Sequence, residues 1–423
     1  MSITRLYRAM TGAHSPDDKG EAQRFMRHFA SLSATKLADG LIDPKLVLAW
    51  LMSAVGAPGY LIGALVPIRE AGALLPQILL AREIQRRRVR KYFWAGGAML
   101  QGLAALGVAC AALTLEGARA GWVILGCLAA LALARAVCSA SYKDIAARTL
   151  AKGSRGTVSG AAGTVSAIAV FAFALGLSIG VPPLSVTSLS VAIMVAGALW
   201  LMAAATFVQL DEPKADLNAD GFDTARAVIR PLRTDAEFRA YVLVRALLIP
   251  TALAPPFLVM LSNAGSAAKL GNLGLLMVAS SLAAIGSSYI WGRLSDRSSR
   301  MTLALSGATA AVALGGAAAI GLVTGEIGGP AMAALFIFAA QIAYEGVRAG
   351  RKTHLTDMDT QGGKAIYTAL SNTVIGVLLL AGGGFGLLAD LAGPSVVLAI
   401  FAGLSALAAL AALKLSEVQQ PNR

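Results

Sequence analysis

The chain has 423 residues, of which 57% are apolar and only 14% charged, and it carries a formal charge of +13. A soluble domain holds about a quarter charged residues, so this balance excludes an ordinary water-soluble protein and points to the membrane. The positive charge does not signal a nucleic-acid partner, because the basic residues fall in short loops where they face anionic lipid.

Residues 1–27 form a polar N-terminal segment without the apolar stretch of a cleaved signal peptide. Twelve stretches follow that are each long enough to cross a bilayer as a helix: 28–54, 57–80, 93–115, 121–142, 157–179, 188–210, 239–262, 270–291, 301–323, 330–350, 364–386 and 394–414. About 29 of the 36 Lys and Arg residues fall into alternate connections, about three into the others and four inside the stretches. This asymmetry implies an inner-membrane protein with both termini in the cytoplasm, including a tail at 415–423.

The first stretch is the least apolar. It carries Lys36, Asp39, Asp43 and Lys45, with Lys36 and Asp43 on the face of Asp39, and Pro44 is expected to kink it. Without this span the basic residues at 82–91 would lie on the wrong side of the membrane, and the count would be odd. In the second span Arg69 and Glu70 lie between Pro67 and Pro76. Neighbours on a helix point about 100° apart, so each is expected to meet another helix or water rather than its neighbour. The two readings of this pair are a ligand or coupling role and a structural ion pair between helices.

Cys110, Cys127 and Cys138 lie in apolar helices without metal-ligand spacing and read as small buried side chains. A polar central loop at 211–238 separates a first half, 28–210, from a second, 239–414, and its second part suits an amphipathic helix on the inner leaflet. The halves read as distant repeats, since residues 63–82 align without a gap on 274–293, and 155–160 on 364–369. His14, His28 and His354 sit near the cytoplasmic interface and are not expected to relay protons. Tyr344, Tyr367 and Trp291 are candidates either for touching a substrate or for marking the lipid interface. The glycines at 382–386 suggest close packing or a bend.

The loop after the eighth span carries Gly292, Asp296, Arg297 and Arg300. With twelve spans, paired halves and a polar central loop, it resembles the cytoplasmic signature of the major facilitator superfamily. That resemblance implies an all-α polytopic membrane protein with twelve transmembrane helices in two pseudo-symmetric six-helix bundles. It also implies that the first, fourth, seventh and tenth helices line a central cavity. Asp39, Arg135, Arg245 and Glu345 then become substrate-binding or proton-coupling candidates beside Arg69 and Glu70. Gly292, Asp296, Arg297 and Arg300 become a gating loop, in which Gly292 permits close helix approach and Asp296 accepts from a helix N-terminus.

Departures from the family pattern are visible. The corresponding loop of the first half has Ala81 for Gly and Gln85 for Asp, leaving Glu83 as the acid to lock it, and Ser299 replaces a usual Gly. The fifth span lacks the Gly-Pro pair that resembles drug–proton antiporters. No phosphate loop, metal motif or nucleophile elbow is present, so neither an enzyme, a metal nor another cofactor is expected. The function this implies is secondary active transport of a small polar or charged organic solute by a proton-coupled, lipid-embedded monomer. The alternatives are drug or metabolite efflux by proton antiport, and a non-transporting membrane receptor or assembly factor, which would have little reason to retain buried charges.

Overall fold

A computed structural model describes residues 3–11, 19–76, 80, 83–84, 86–151, 154–214, 231–263, 273–358 and 364–419, and no strand occurs among them. Inside a bilayer no water is available to the backbone, so long apolar runs fold as helices that satisfy their own N–H and C=O groups. Ten helices are long and apolar enough to cross: Lys91–Thr114, Gly117–Thr149, Ser154–Ser178, Val186–Val208, Ala236–Ser262, Leu273–Arg297, Ser299–Thr324, Pro330–Asp357, Ile366–Ala392 and Pro394–Ala412. They are the third to twelfth passes. The first two passes are charged and broken, which is why a measure of apolar length misses them. The first is Lys19–Leu41 continued by Val47–Ala54, and the second is Gly59–Gly63 continued by Leu65–Leu74.

Two expectations change here. The first helix begins at Lys19, inside the segment expected to be polar and separate, because Phe25 is fully buried and Tyr7 donates to Glu21 at 2.8 Å. Pro44 also does more than kink the first span: the helix ends at Leu41 and restarts at Val47, with the Asp43 carboxylate accepting from Leu46 N–H at 3.2 Å. Asp43 consequently does not share a continuous face with Asp39, whereas Lys36 stands one turn before Asp39 in the same helix piece and donates to the Ser159 carbonyl at 2.7 Å. Of the cysteines, Cys138 is buried, while Cys110 is exposed on the lipid side of the third span. His14, Ala81, Gln85 and most of the central loop, at 215–230, lie outside the described residues.

Helix pairings repeat between the halves. The third span packs on the fourth and sixth as the ninth packs on the tenth and twelfth, and the second meets the fourth as the eighth meets the tenth. Across the halves the second span meets the eleventh, and their repeat counterparts, the eighth and the fifth, meet likewise. The eleventh span breaks at Gly383, and a single residue, Gly393 at φ 87°, joins it to the twelfth. That positive φ is one that only glycine adopts without strain.

How the halves join differs between the two faces of the membrane. Toward the face opposite the basic loops, one apolar core contains residues of both halves, among them Leu61, Ile124, Leu258 and Phe401. There the eleventh span lies so close to the second that a Cβ on Gly386 would stand 2.8 Å from Tyr60 Cα and 2.9 Å from its carbonyl oxygen. The Asp390 carboxylate accepts from Tyr60 N–H at 2.8 Å, so a second-half side chain caps the start of a first-half helix. Toward the basic-loop face the core divides into three further clusters, and none of them contains residues of both halves.

Each half ties its own basic-face end. In the first, Glu212 accepts from the N–H groups of Arg90 and Lys91 at 2.9 and 2.7 Å and pairs with Arg148 at 2.6 Å. Asp144 pairs with Arg90 and with Arg148, both at 2.5 Å. In the second, Ser298 caps the ninth span and donates to Glu417 at 2.5 Å, while Gln419 accepts from Ser299 N–H at 2.9 Å. The chain that follows the sixth and twelfth spans thus returns to cap the third and ninth. Rings fill the space behind: His28 lies 5.6 Å from Tyr142, and Tyr241 stacks on His354 at 5.3 Å.

Candidate functional site

Three breaks in regular helix converge near mid-depth: the turn at 42–46 in the first span, the turn at Ala64 in the second and the link before Pro250 in the seventh. Pro67 falls in the first turn of its helix piece, where a missing N–H costs nothing. The piece it begins turns Arg69 inward. Asp39 stands in the last turn of its own helix, where the dipole disfavours an acid and a positive partner is needed. It has two. Arg69 Nη2 donates to Asp39 Oδ1 at 2.7 Å, and Arg135 Nη1 from the fourth span donates to Asp39 Oδ2. The cluster joins three helices of one half.

This cluster forms part of the wall of a cavity of about 460 Å³, within the size range of small-molecule sites. Asp39, Arg69, Glu70, Arg135 and Glu345 all line it. Glu345 accepts from Gln341 Nε2 at 3.0 Å and lies 3.4 Å from Arg348. Glu70 makes no hydrogen bond or ion pair among the described residues. Arg245 is placed elsewhere. It lines a separate recess, donating to Ser371 at 2.6 Å and Asn372 at 2.9 Å, because its position on the seventh span faces the eleventh.

Several lining residues were not expected from sequence. Lys45 sits over the Tyr344 ring with its Nζ 3.2 Å from the centroid, a contact that crosses from the first half to the second. Ser280, Ser281, Gln341 and Arg348 also face the cavity. The repeat alignment held a signal for two of them, since Ser280 and Ser281 occupy the places of Arg69 and Glu70. Trp291 and Tyr367 are structural instead: the first donates to the Ile342 carbonyl at 2.9 Å, the second to Asp235 at 2.8 Å.

The stretch expected as a loop after the eighth span is almost wholly helical: Gly292, Asp296 and Arg297 end the eighth helix, Ser298 alone intervenes, and Arg300 lies in the first turn of the ninth. A Cβ on Gly292 would meet nothing within 4 Å among the described residues, so none of the described helices approaches there. Asp296 and Arg297 are exposed and make no ion pair among the described residues, and Arg300 lies 3.6 Å from Glu417. The N-terminus of the ninth span is capped by Ser298 and the chain's own tail, so Asp296 is not needed for it. In the first half Glu83 pairs, among the described residues, with Arg86 and Arg87 on its own turn, at 3.5 and 3.6 Å, while Asp144 and Glu212 tie the ends of the third, fourth and sixth spans.

No family model and no curated protein matches the sequence. Solved structures do match its path. The nucleoside transporter NupG superposes with a TM-score of 0.66 at 13% identity, covering 94% of this chain and 99% of that one. The D-xylose-proton symporter gives 0.67 at 11% identity over 93% and 98%, and a POT family transporter in complex with a thioalcohol conjugated peptide gives 0.67 at 10% over 97% and 98%. The chain has the major facilitator fold. Within that fold, the first, second, fourth, eighth and tenth spans all contribute charged or polar residues to the cavity, and it sits at the seam of the two bundles.

Proposed function

We propose that the protein is a secondary active transporter, moving a small polar or charged organic solute across the inner membrane by alternating access coupled to protons. The observation that carries this reading is the divided core: a charged cavity lies at the seam of two bundles that are fused on one face and separate on the other. Rocking two pseudo-symmetric bundles about such a site exchanges its access. With the basic loops in the cytoplasm, both termini are cytoplasmic and this conformation faces inward. The D-xylose-proton symporter, of the same fold, supports proton coupling by its name. The protein acts as a monomer, since the alternating surfaces belong to one chain.

The coupling proton belongs on Glu70. Both oxygens of Asp39 are already acceptors for guanidinium groups, whereas Glu70 faces the cavity without such a partner among the described residues. The test begins with thermal-shift screening of a metabolite library, because a ligand of the folded state raises apparent stability. Hits are then assayed in proteoliposomes under an imposed proton gradient. Wild type should accumulate the solute, and Glu70→Gln should exchange it without accumulating it. Accumulation by Glu70→Gln at the wild-type level would move the proton to another residue. If no ligand that binds is ever moved, the transporter reading fails.

A further inference from the structure

Beside the main cavity lies a recess of about 50 Å³ between the second, seventh, tenth and eleventh spans. Glu70, Tyr344 and Arg348 line both spaces, so the recess adjoins the cavity along those three residues. Its other polar lining is Arg245, Thr251 and Arg351, and the rest is apolar. Three guanidinium groups therefore surround it against one carboxylate.

Arg245 is the most constrained of them. It is 7% exposed, and its two hydrogen bonds go to neutral groups, the Ser371 hydroxyl and the Asn372 amide oxygen. Its Nε has no hydrogen-bond partner. Arg351 makes no ion pair among the described residues, and Arg348 reaches Glu345 only at 3.4 Å. A buried cation whose partners are all neutral is an expensive arrangement unless an anion completes it. One water occupies about 10–15 Å³ on this measure of volume, so the recess holds three or four waters or the oxygens of a single oxyanion.

We propose that this recess is an oxyanion subsite of the cavity, which takes the carboxylate or phosphate group of a small organic anion. Arg348 meets the anion first, since it lines both spaces. Arg245, held by Ser371 and Asn372, adds its positive charge from the recess wall, and Arg351 completes the charge. Preorganisation of this kind is what lets guanidinium groups select planar or tetrahedral oxyanions over halides. The remainder of the solute occupies the main cavity, where Lys45, Arg69, Arg135 and Arg348 balance Asp39, Asp43, Glu70 and Glu345. This inference rests on the transporter reading and adds the class of solute to it.

The test measures thermal unfolding of the purified full chain, in detergent freed of phospholipid, against sodium phosphate, sodium acetate and sodium chloride at matched ionic strength. Phosphate and acetate should raise the unfolding temperature beyond chloride. The phosphate dissociation constant should rise about tenfold or more in Arg245→Gln, the loss expected for a charge-assisted hydrogen bond. Should that variant fail to fold, Arg348→Gln and Arg351→Gln decide, because both side chains lie outside the packed interior and leave the ligand-free unfolding temperature unchanged. An oxyanion shift equal to that of chloride, or one indifferent to all three arginines, overturns the proposal. Repeating the titration in phosphatidylglycerol nanodiscs separates the sources: if anionic lipid abolishes phosphate binding, the recess holds a headgroup and not a solute. Failure of the transporter reading looks different, with phosphate binding that follows the arginines but no solute moved in vesicles.

Discussion

On the first-half wall of the cavity, Arg69 and Glu70 stand where the second-half wall has Ser280 and Ser281, in register along two helices that align without a gap. The first wall is tied together by Asp39, Arg69 and Arg135 from three spans of one half. The second presents hydroxyls, the Gln341 amide and Glu345, and its hydrogen bonds at the cavity stay within the tenth span. Repetition has kept the backbone path and concentrated the charge on one side. Because the Asp39 cluster belongs wholly to one bundle, the proposed rocking would leave it intact as a rigid floor for the site. Contacts that would have to change in that cycle are those that cross the seam, such as Lys45 against Tyr344 and Asp390 against Tyr60.

The comparison breaks most readily at Asp39. Asp39→Asn leaves two guanidinium groups facing each other without their carboxylate and should cost about 3 kcal/mol, the lower end of what breaking a buried pair costs. Ser280→Ala should stay within about 0.5 kcal/mol. Thermal unfolding of both variants checks the contrast, and equal stability would mean that the charged wall has no structural role.

A second break concerns the seam rather than the walls. Gly386→Leu puts a side chain where Tyr60 backbone already stands, so the outer face cannot close. Spin labels at Thr114 and Thr324, in a cysteine-free background, should report a longer distance across that face than in the parent protein. An unchanged distance would show that the contact yields without opening.

The second wall is sharpened by ligand binding. Ser280→Ala combined with Ser281→Ala should weaken a solute up to about tenfold, the net worth of one or two hydrogen bonds, while stability is retained. Titration with any hit from the library screen measures it. The smallest effect is expected near the basic end of the eighth helix. Gly292→Ala adds a methyl into open space and brings in a better helix former. It should hold the unfolding temperature or raise it slightly, a gain of at most about 1 kcal/mol, whereas a clear loss would reveal a state in which a helix closes on that position.

The succession of spans was legible in the apolar stretches and in the alternation of Lys and Arg between connections, because neither needs knowledge of packing. The depths of Asp39, Arg69, Glu70, Arg135 and Glu345 were legible for the same reason. Their partners were not. Whether Arg69 reaches Asp39 depends on the rotation of two broken helices, and a continuous-helix reading of the first span placed Asp43 on the face of Asp39. That Arg245 lines the adjoining recess and not the main cavity was equally illegible, since depth along the seventh span does not reveal that it faces the eleventh. The ties at the basic face escaped notice because Glu212, Glu417 and Gln419 act on the starts of the third and ninth spans from more than a hundred residues away.

Gly393 has a mechanical consequence. With one residue between them, the eleventh and twelfth spans form a hairpin too short to splay at its hinge, and the twelfth is packed along the ninth. In the proposed cycle, withdrawal of the eleventh span from Tyr60 would drag the twelfth along the lipid boundary. The lipid-facing side of the twelfth span, around Leu410, therefore works as the far arm of a crank. A fluorophore attached there would register each opening of the outer face without touching the solute, the cavity or either gate.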